Sequence, residues 1–342
     1  MDKDAPLHIL LLMISSHEGV GGMEKHTQEL ANGLVQRGHR VTVMAAPQHL
    51  QLLAVAVTRV ALNPRRSRRD PRQLFKIARF IGAEGFDIVH AQGTKAAALL
   101  RSLRHFVGDV RLMATIHGFK SRYPASPAFF RVIAVSQTLG NTIPGENIAV
   151  VYNGLDCKTL TAAHGGAFAA AGQRPVWLAA GRLVDAKGFD MLIDAFRTTG
   201  GCLYIAGDGP DRAALQTRIN DYQLNGRVTL LGHRNDVPEL MASCDGVVIS
   251  SRREGFSYVF AEALLAGKPV IATDVPIANE FLPPQHIYKG HDAEGFSRLL
   301  NTNLSEVYEE QLPARKRAQT ELTLNAMVQH TLDLYRAAAA AG

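Results

Sequence analysis

The stretch Leu7–Ala46, "LHILLLMISSHEGVGGMEKHTQELANGLVQRGHRVTVMAA", decides the fold class. "LHILLLMIS" has the length and apolar character of a strand buried on both faces. A glycine-rich loop follows, then "GMEKHTQELANGLVQRG" with helical spacing and Gly38 at its C-cap, then "HRVTVMAA" as a second strand. A strand, a helix and a strand in succession make a crossover unit, which pairs its strands in parallel.

The alternation continues through "FDIVHAQG", "RLMATIHG" and "RVIAVSQ", the first two ending in a polar residue and glycine. After "NIAVVYNGLD", the Ala- and Gly-rich stretch Cys157–Pro175 has no clear period and reads as a linker. A second series then runs from "VWLAAG" through "CLYIAG", "RVTLLG" and "DGVVISS" to "PVIATD", with helical patterns between. The expected fold is α/β: two Rossmann-like domains facing across a cleft. Ligands bind such sheets beyond the carboxyl ends of the strands, so the loops there carry the functional candidates.

The 342 residues, 46% hydrophobic and 20% charged, can bury two cores. The apolar runs are strand-length, well short of the roughly 20 residues that span a bilayer. The N-terminus lacks the basic region and small-residue cleavage pattern of a secretory signal, so a cytoplasmic location is expected. Cys157, Cys202 and Cys244 are far apart and read as free thiols. The net charge of +6 is concentrated at Arg65, Arg66, Arg68, Arg69 and Arg72. That cluster suits a phosphorylated acceptor, an anionic membrane face or plain solvent; nucleic acid is disfavoured because no interleaved aromatics accompany it.

"SHEGVGGMEKH" (Ser16–His26) has the glycines for close approach to a phosphate or sugar, but Glu24 stands where a dinucleotide fingerprint needs glycine. "GRLVDAKGFD" (Gly181–Asp190) puts Arg182 and Lys187 on one short loop, a clamp suited to a diphosphate. "GDGPDRAAL" reads as a structural turn with Asp211 at a helix start. The backbone at Gly232, His233 and Arg234 is placed to read a nucleobase edge. In "REGFSYVFAEALLAGKPVIAT" (Arg253–Thr273), Ser257 is the expected N-cap of a helix ending near Ala266 and Gly267. Glu254 therefore precedes the helix and Glu262 lies within it. Amides of Gly255, Phe256, Ser257 and Tyr258 would face phosphates, Glu262 a ribose and Glu254 the sugar, each acid taking its donors from substrate. His117 ends a strand of the first half.

"GVGGME", "HG" after a strand, "VVYNGLD", "GRLVDAKG", "GDGP" and Glu254-x7-Glu262, in this order, resemble the retaining glycosyltransferases of family 4, with the GT-B fold. The resemblance covers nearly the whole chain. It implies a Rossmann-like acceptor domain formed by residues 1–155 plus 323–342, the last helix crossing back to it, and a donor domain formed by 156–322. It implies transfer of a hexose from a UDP- or GDP-sugar to a cell-envelope glycan, with retention and without a cofactor or metal. Asp2-Lys3-Asp4 is discounted as a metal motif because it precedes the first strand.

Residue by residue, Arg182 and Lys187 match the diphosphate pair, Glu262 the ribose acid and Glu254 the acid near the donor sugar. Gly22 matches the N-domain glycine near the phosphates and His117 the histidine beside the transferred sugar, while Gly181, which opens the matching "GRLVDAKG" loop, is expected among the donor-binding residues. Two departures stand out: Gln92 where many relatives carry a second histidine, and "TDVPIANEFL", which lacks the usual glycines. A nucleotide-sugar epimerase or hydrolase and a glycan-binding pseudoenzyme are the alternatives.

Overall fold

The computed structural model describes residues 5–15, 19, 21–63, 66–67, 69–124, 127–156, 168, 173–290 and 292–341. It divides into two compact units, Met1–Gly154 with Leu324–Gly342, and Leu155–Thr323.

The first unit holds seven strands: β1 (His8–Met13), β2 (Arg40–Ala45), β3 (Thr58–Ala61), β4 (Ile88–Gln92), β5 (Arg111–Ile116), β6 (Arg131–Ala134) and β7 (Ile148–Val150). All pair in parallel in the order β3-β2-β1-β4-β5-β6-β7. The order reverses between β1 and β4, which opens a crevice at their carboxyl ends. β1 is buried along its whole length, as its apolar run requires.

Helix Gly22–Gln36 packs Leu30 and Leu34 into the same core as Met327, Val328, Leu332 and Tyr335 of the last helix, Leu324–Ala340. Gly33 makes that contact close: a Cβ there would lie 2.5 Å from a Val328 methyl. The Tyr335 hydroxyl bonds the Nδ1 of fully buried His90 on β4 at 2.6 Å, and the His90 Nε2 bonds Thr115 on β5 at 2.8 Å. The last helix is thus tied to the sheet by a polar chain as well as by apolar contacts.

The second unit holds β8 (Val176–Ala180), β9 (Cys202–Ala206), β10 (Val228–Gly232), β11 (Gly246–Ile249), β12 (Val270–Thr273) and β13 (Ile287–Tyr288). These are also parallel, in the order β10-β9-β8-β11-β12-β13, with the reversal between β8 and β11. Most of the stretch 157–175, expected as a linker, lies outside the described residues. Phe168 within it is buried and stacked on Tyr204, because a ring that size gains by leaving water. Cys202 and Cys244 are buried free thiols, Cys244 pushed up to about 12 by burial, and Cys157 is not among the described residues. No helix among the described residues is long and apolar enough to cross a membrane.

Glycines lock the loops that follow β8, β9 and β10. Gly207, at φ +148°, lies so near the Gly181 carbonyl that a Cβ would sit 1.8 Å from its oxygen, and Gly209 stands similarly over the Leu183 carbonyl at 2.3 Å. The Gly207 amide donates to the Gly232 carbonyl at 2.7 Å. Gly207→Ala is expected to cost about 2–3 kcal/mol or more, lowering the thermal midpoint by about 5 °C or more. Gly82→Ala, in a helix with nothing within 4 Å of the added methyl, should instead gain about 0.5–1 kcal/mol. Calorimetry on the two variants checks both signs.

Candidate active site

In the second unit the site lies where β8 and β11 part. After β8 the chain passes Gly181 and Arg182, makes a 3-10 turn at Asp185–Lys187, and enters helix Phe189–Ala195 through Gly188 at φ +64°. A Cβ on Gly188 would lie 2.2 Å from the Ser250 carbonyl oxygen, so only glycine lets this loop rest on the one after β11. Further bonds join the loops, among them Ser250 Oγ to the Lys187 carbonyl at 2.8 Å, the Arg252 amide to the Ala186 carbonyl at 2.9 Å, and the Arg252 guanidinium to Asp190 and to the Asp185 carbonyl, both at 2.7 Å.

This joint brings the Lys187 ammonium onto Glu254 Oε1 as an ion pair. Ser251 Oγ donates to the same oxygen at 2.5 Å. The Glu254 side chain is 5% exposed, and its Oε2 is enclosed without a hydrogen-bond partner among the described residues. The expectation that Glu254 draws its donors from substrate is corrected here: two are supplied by the protein, because a carboxylate this buried needs a counter-charge. Lys187 is correspondingly a partner of Glu254 rather than an unattached clamp. An ammonium has three donors, so the pair leaves Lys187 with hydrogen-bonding capacity, while Oε2 still lacks a donor.

The remaining candidates of this unit lie on separate elements. Arg182 is exposed. Gly181 touches the Lys187 stem, with a built Cβ 3.2 Å from its Cε. Gly255 and Phe256 lead into helix Tyr258–Leu265, whose N-cap Ser257 accepts from the Phe260 amide, and Phe256 and Tyr258 meet edge to face at 5.5 Å. Glu262 lies on that helix's half-exposed side, opposite buried Phe260, Ala263 and Leu264. His233 bonds Asn235 at 3.1 Å, and Arg234 forks onto Asp236, which raises its pKa. That local pairing consumes the Arg234 side-chain charge; the backbone there remains the part suited to a base edge.

In the first unit, the loops after β1, β4 and β5 surround a cavity of about 360 Å³ whose lining includes Ser15, Thr94, Lys95, His117 and Lys120. Gly22 opens helix Gly22–Gln36, and Glu24 accepts from the Gly21 amide at 3.1 Å, which is the half of a capping box that a glycine N-cap allows. That role accounts for a carboxylate where a dinucleotide loop would carry glycine. His117 Nε2 bonds the amide oxygen of Gln92 at 3.0 Å, and its Nδ1 is enclosed without a partner among the described residues. Gln92, marked in the sequence only as a departure, thereby holds the His117 ring.

The histidine that sequence reasoning missed is His26, buried and edge-on to His117 at 4.7 Å between centroids. Among the described residues neither of its nitrogens has a hydrogen-bond partner; burial lowers its pKa to about 4, opposed by nearby Asn153, which falls short of bonding geometry. The signal was its place four residues before Leu30 on the apolar stripe. Burial likewise takes His90 to about 3 and His117 well below 6.5, with the neighbouring imidazoles adding to the effect. Of the arginine cluster, Arg66 pairs with Asp70 at 3.7 Å and Arg69 is exposed, while Arg65 and Arg68, like Asp2 and Asp4, lie outside the described residues.

Two parallel-sheet units of this topology, each with loops gathered at its switch point, make a GT-B protein. Residues 20–159 match the model of glycosyltransferase family 4, and residues 166–320 match that of glycosyl transferases group 1. Together these span most of the sequence, and the chain belongs to the family 4 glycosyltransferases of GT-B fold. It is 25% identical over 295 residues to the lipopolysaccharide core biosynthesis glycosyltransferase LpsE of Rhizobium meliloti, covering 82% of this chain and 84% of that one. Among solved structures it resembles HepE of Anabaena in complex with UDP, at TM-score 0.80 and 21% identity, covering 96% of this chain and 99% of that one. A glycosyltransferase from Rickettsia africae matches at TM-score 0.83 and 19% identity, covering 97% and 98%.

The buried histidines set a pH limit. His26 and His90 have folded pKa values of about 4 and about 3, below the 6.5 of the unfolded chain, so the unfolded state binds protons first as pH falls. Stability is therefore retained above pH 6.5 and lost from there down towards pH 4, at up to roughly 1.4 kcal/mol per pH unit for each histidine. Denaturant titrations between pH 7 and 4.5 should show the decline, and His90→Gln should remove about one proton from its slope. A flat profile would refute the assignment.

Proposed function

We propose that the chain transfers a hexose from a UDP- or GDP-sugar to a cell-envelope glycan acceptor with retention of configuration, the second unit binding the donor and the first the acceptor. The observation that carries this reading is the Lys187–Glu254 pair at the β8/β11 switch point, with an enclosed carboxylate oxygen still lacking a donor. A sugar hydroxyl would bond that oxygen once the groups enclosing it give way on donor binding, and the remaining Lys187 donors would meet diphosphate oxygens. HepE has been solved with UDP-glucose, LpsE is named for lipopolysaccharide core synthesis, and an Escherichia coli relative is a UDP-Gal-dependent galactosyltransferase acting on a diphosphoundecaprenol-linked sugar. These relatives support a UDP-sugar and an envelope acceptor; the activity would take place in the cytoplasm, at the membrane periphery.

In the proposed reaction the bond between the anomeric carbon and the diphosphate oxygen breaks as the acceptor oxygen bonds that carbon on the same face. The acceptor's proton passes to the leaving diphosphate. Lys187, Arg182 and the amides from Gly255 to Tyr258 would stabilise the charge that accumulates there, and no metal ion is assigned a part. Glu262 would accept from ribose, the backbone at His233 and Arg234 would meet the base, and Gly22, Gly181 and His117 would approach the phosphates and transferred sugar.

Lys187→Ala and Glu254→Gln are each expected to lower transfer about 100-fold or more, with Glu254→Gln keeping the packing of the buried side chain. Wild-type turnover by either, measured with soluble acceptor, would sink the site. Among UDP-, GDP-, ADP- and TDP-sugars, the UDP form should raise the thermal midpoint most. Donor consumption without acceptor would point instead to an epimerase or hydrolase.

A further inference from the structure

A group of buried polar side chains gathers around His117. His26 of helix Gly22–Gln36, Gln92 at the end of β4, His117 just past β5 and Asn153 just past β7 come from four separate stretches, "GVGGMEKH", "VHAQG", "HG" and "VVYNGLD". His26, Gln92 and Asn153 are all but fully buried. The His26 ring meets the His117 ring edge to face at 4.7 Å between centroids, and Gln92 Oε1 accepts from His117 Nε2 at 3.0 Å. The chain leaving β7 brings Asn153 to His26: Val151 lies in the core with Leu30 and Met327, and the Gly154 amide donates to the Met327 sulfur at 3.1 Å. Asn153 stands close enough to oppose the effect of burial on the His26 imidazole.

Such a group weakens the fold. Among the described residues both His26 nitrogens, Gln92 Nε2, His117 Nδ1 and Asn153 Oδ1 are enclosed without a hydrogen-bond partner. Each has left water without a bond in exchange, so leucine at positions 26 and 153 would serve the core better. His90, on the same strand as Gln92, shows the contrast: its two nitrogens are bonded to Tyr335 and Thr115. Local rules are broken in this way where function requires it. The enclosed atoms are closed to a ligand, so what they serve is the one member of the group that lines the 360 Å³ cavity, His117.

We propose that His26 and Asn153 are positioning residues for His117. Gln92 fixes the tautomer by accepting from Nε2–H, which leaves Nδ1 bare. His26 sets the plane of the ring through the edge-to-face contact, and Asn153 orients His26. An uncharged His26 carries one N–H, the complement of the bare His117 Nδ1, and a turn of the two rings against each other as the cavity fills would pair them. A phenyl or isobutyl group at position 26 could fill the space but not make that bond. That His117 is held rests on these contacts; what it is held for rests on the glycosyl-transfer reading.

His26→Leu, close in volume and apolar, tests it, beside Asn153→Leu and a control, Tyr335→Phe, which breaks a bond of the same unit made to His90 rather than His117. In hexose transfer to a soluble acceptor, His26→Leu and Asn153→Leu should each lower kcat about tenfold or more and keep the donor KM within about twofold. The double variant should be no slower than His26→Leu. Both single variants should hold or raise the thermal midpoint, and His26→Gln, with a donor and an acceptor, should recover part of the rate. Tyr335→Phe should lower the midpoint and leave kcat unchanged. Nitrogen-15 spectra of the histidines need no turnover: His117 should keep its proton on Nε2 in the wild type and exchange between tautomers in His26→Leu. Should His26→Leu not fold, Asn153→Leu carries the same measurements. Wild-type kcat in the leucine variants, an equal loss in Tyr335→Phe, or a His117 spectrum indifferent to His26→Leu would each overturn the proposal. If the wild type turns over no nucleotide-sugar, the glycosyl-transfer reading fails, and the spectra alone decide whether His117 is held.

Discussion

The buried carboxylate of Glu254 is the constraint around which the second unit's site is built. A charge 5% exposed is tolerable only with a counter-charge held beside it. Lys187 can serve because Gly188 lies on the Ser250 carbonyl, which fuses the loops after β8 and β11 into one surface. The stitching from Arg252 to Asp185 and Asp190 keeps the joint closed. A single added methyl at position 188 would push the loops apart and strand the acid.

Much of this organisation was legible in the sequence because parallel strands buried on both faces read as apolar runs, and because glycines mark the loops between strand and helix. The Ser257 cap and the turn at Gly267 were legible for the same local reason. Pairings between distant residues were not: Lys187 and Glu254 are 67 positions apart, and His90 and Tyr335 are 245 apart. Gln92 looked like a departure until His117 was seen to bond it. The Arg234 side chain, about which the sequence reading made no claim, pairs with Asp236 only two residues on.

The two units handle charge in opposite ways. The second buries an ion pair with one oxygen unfilled, whereas the first buries neutral imidazoles. His26, His90 and His117 are all pushed below their ordinary range by burial. With Nε2 committed to Gln92, His117 keeps Nδ1 as an uncharged, enclosed acceptor. Positive charge on that side comes from Lys95 and Lys120 on the cavity lining.

The last helix completes the first unit although 169 residues of the second, Leu155–Thr323, intervene. On the ribosome, the second unit's segment is therefore whole before the first unit receives its final wall. Until Leu324–Ala340 is made, the apolar side of helix Gly22–Gln36 and the imidazole of His90 lack the partners they have in the finished fold. Domains generally fold as units during synthesis. Here the order of birth and the order of completion are reversed, and the half begun first is the one that must wait.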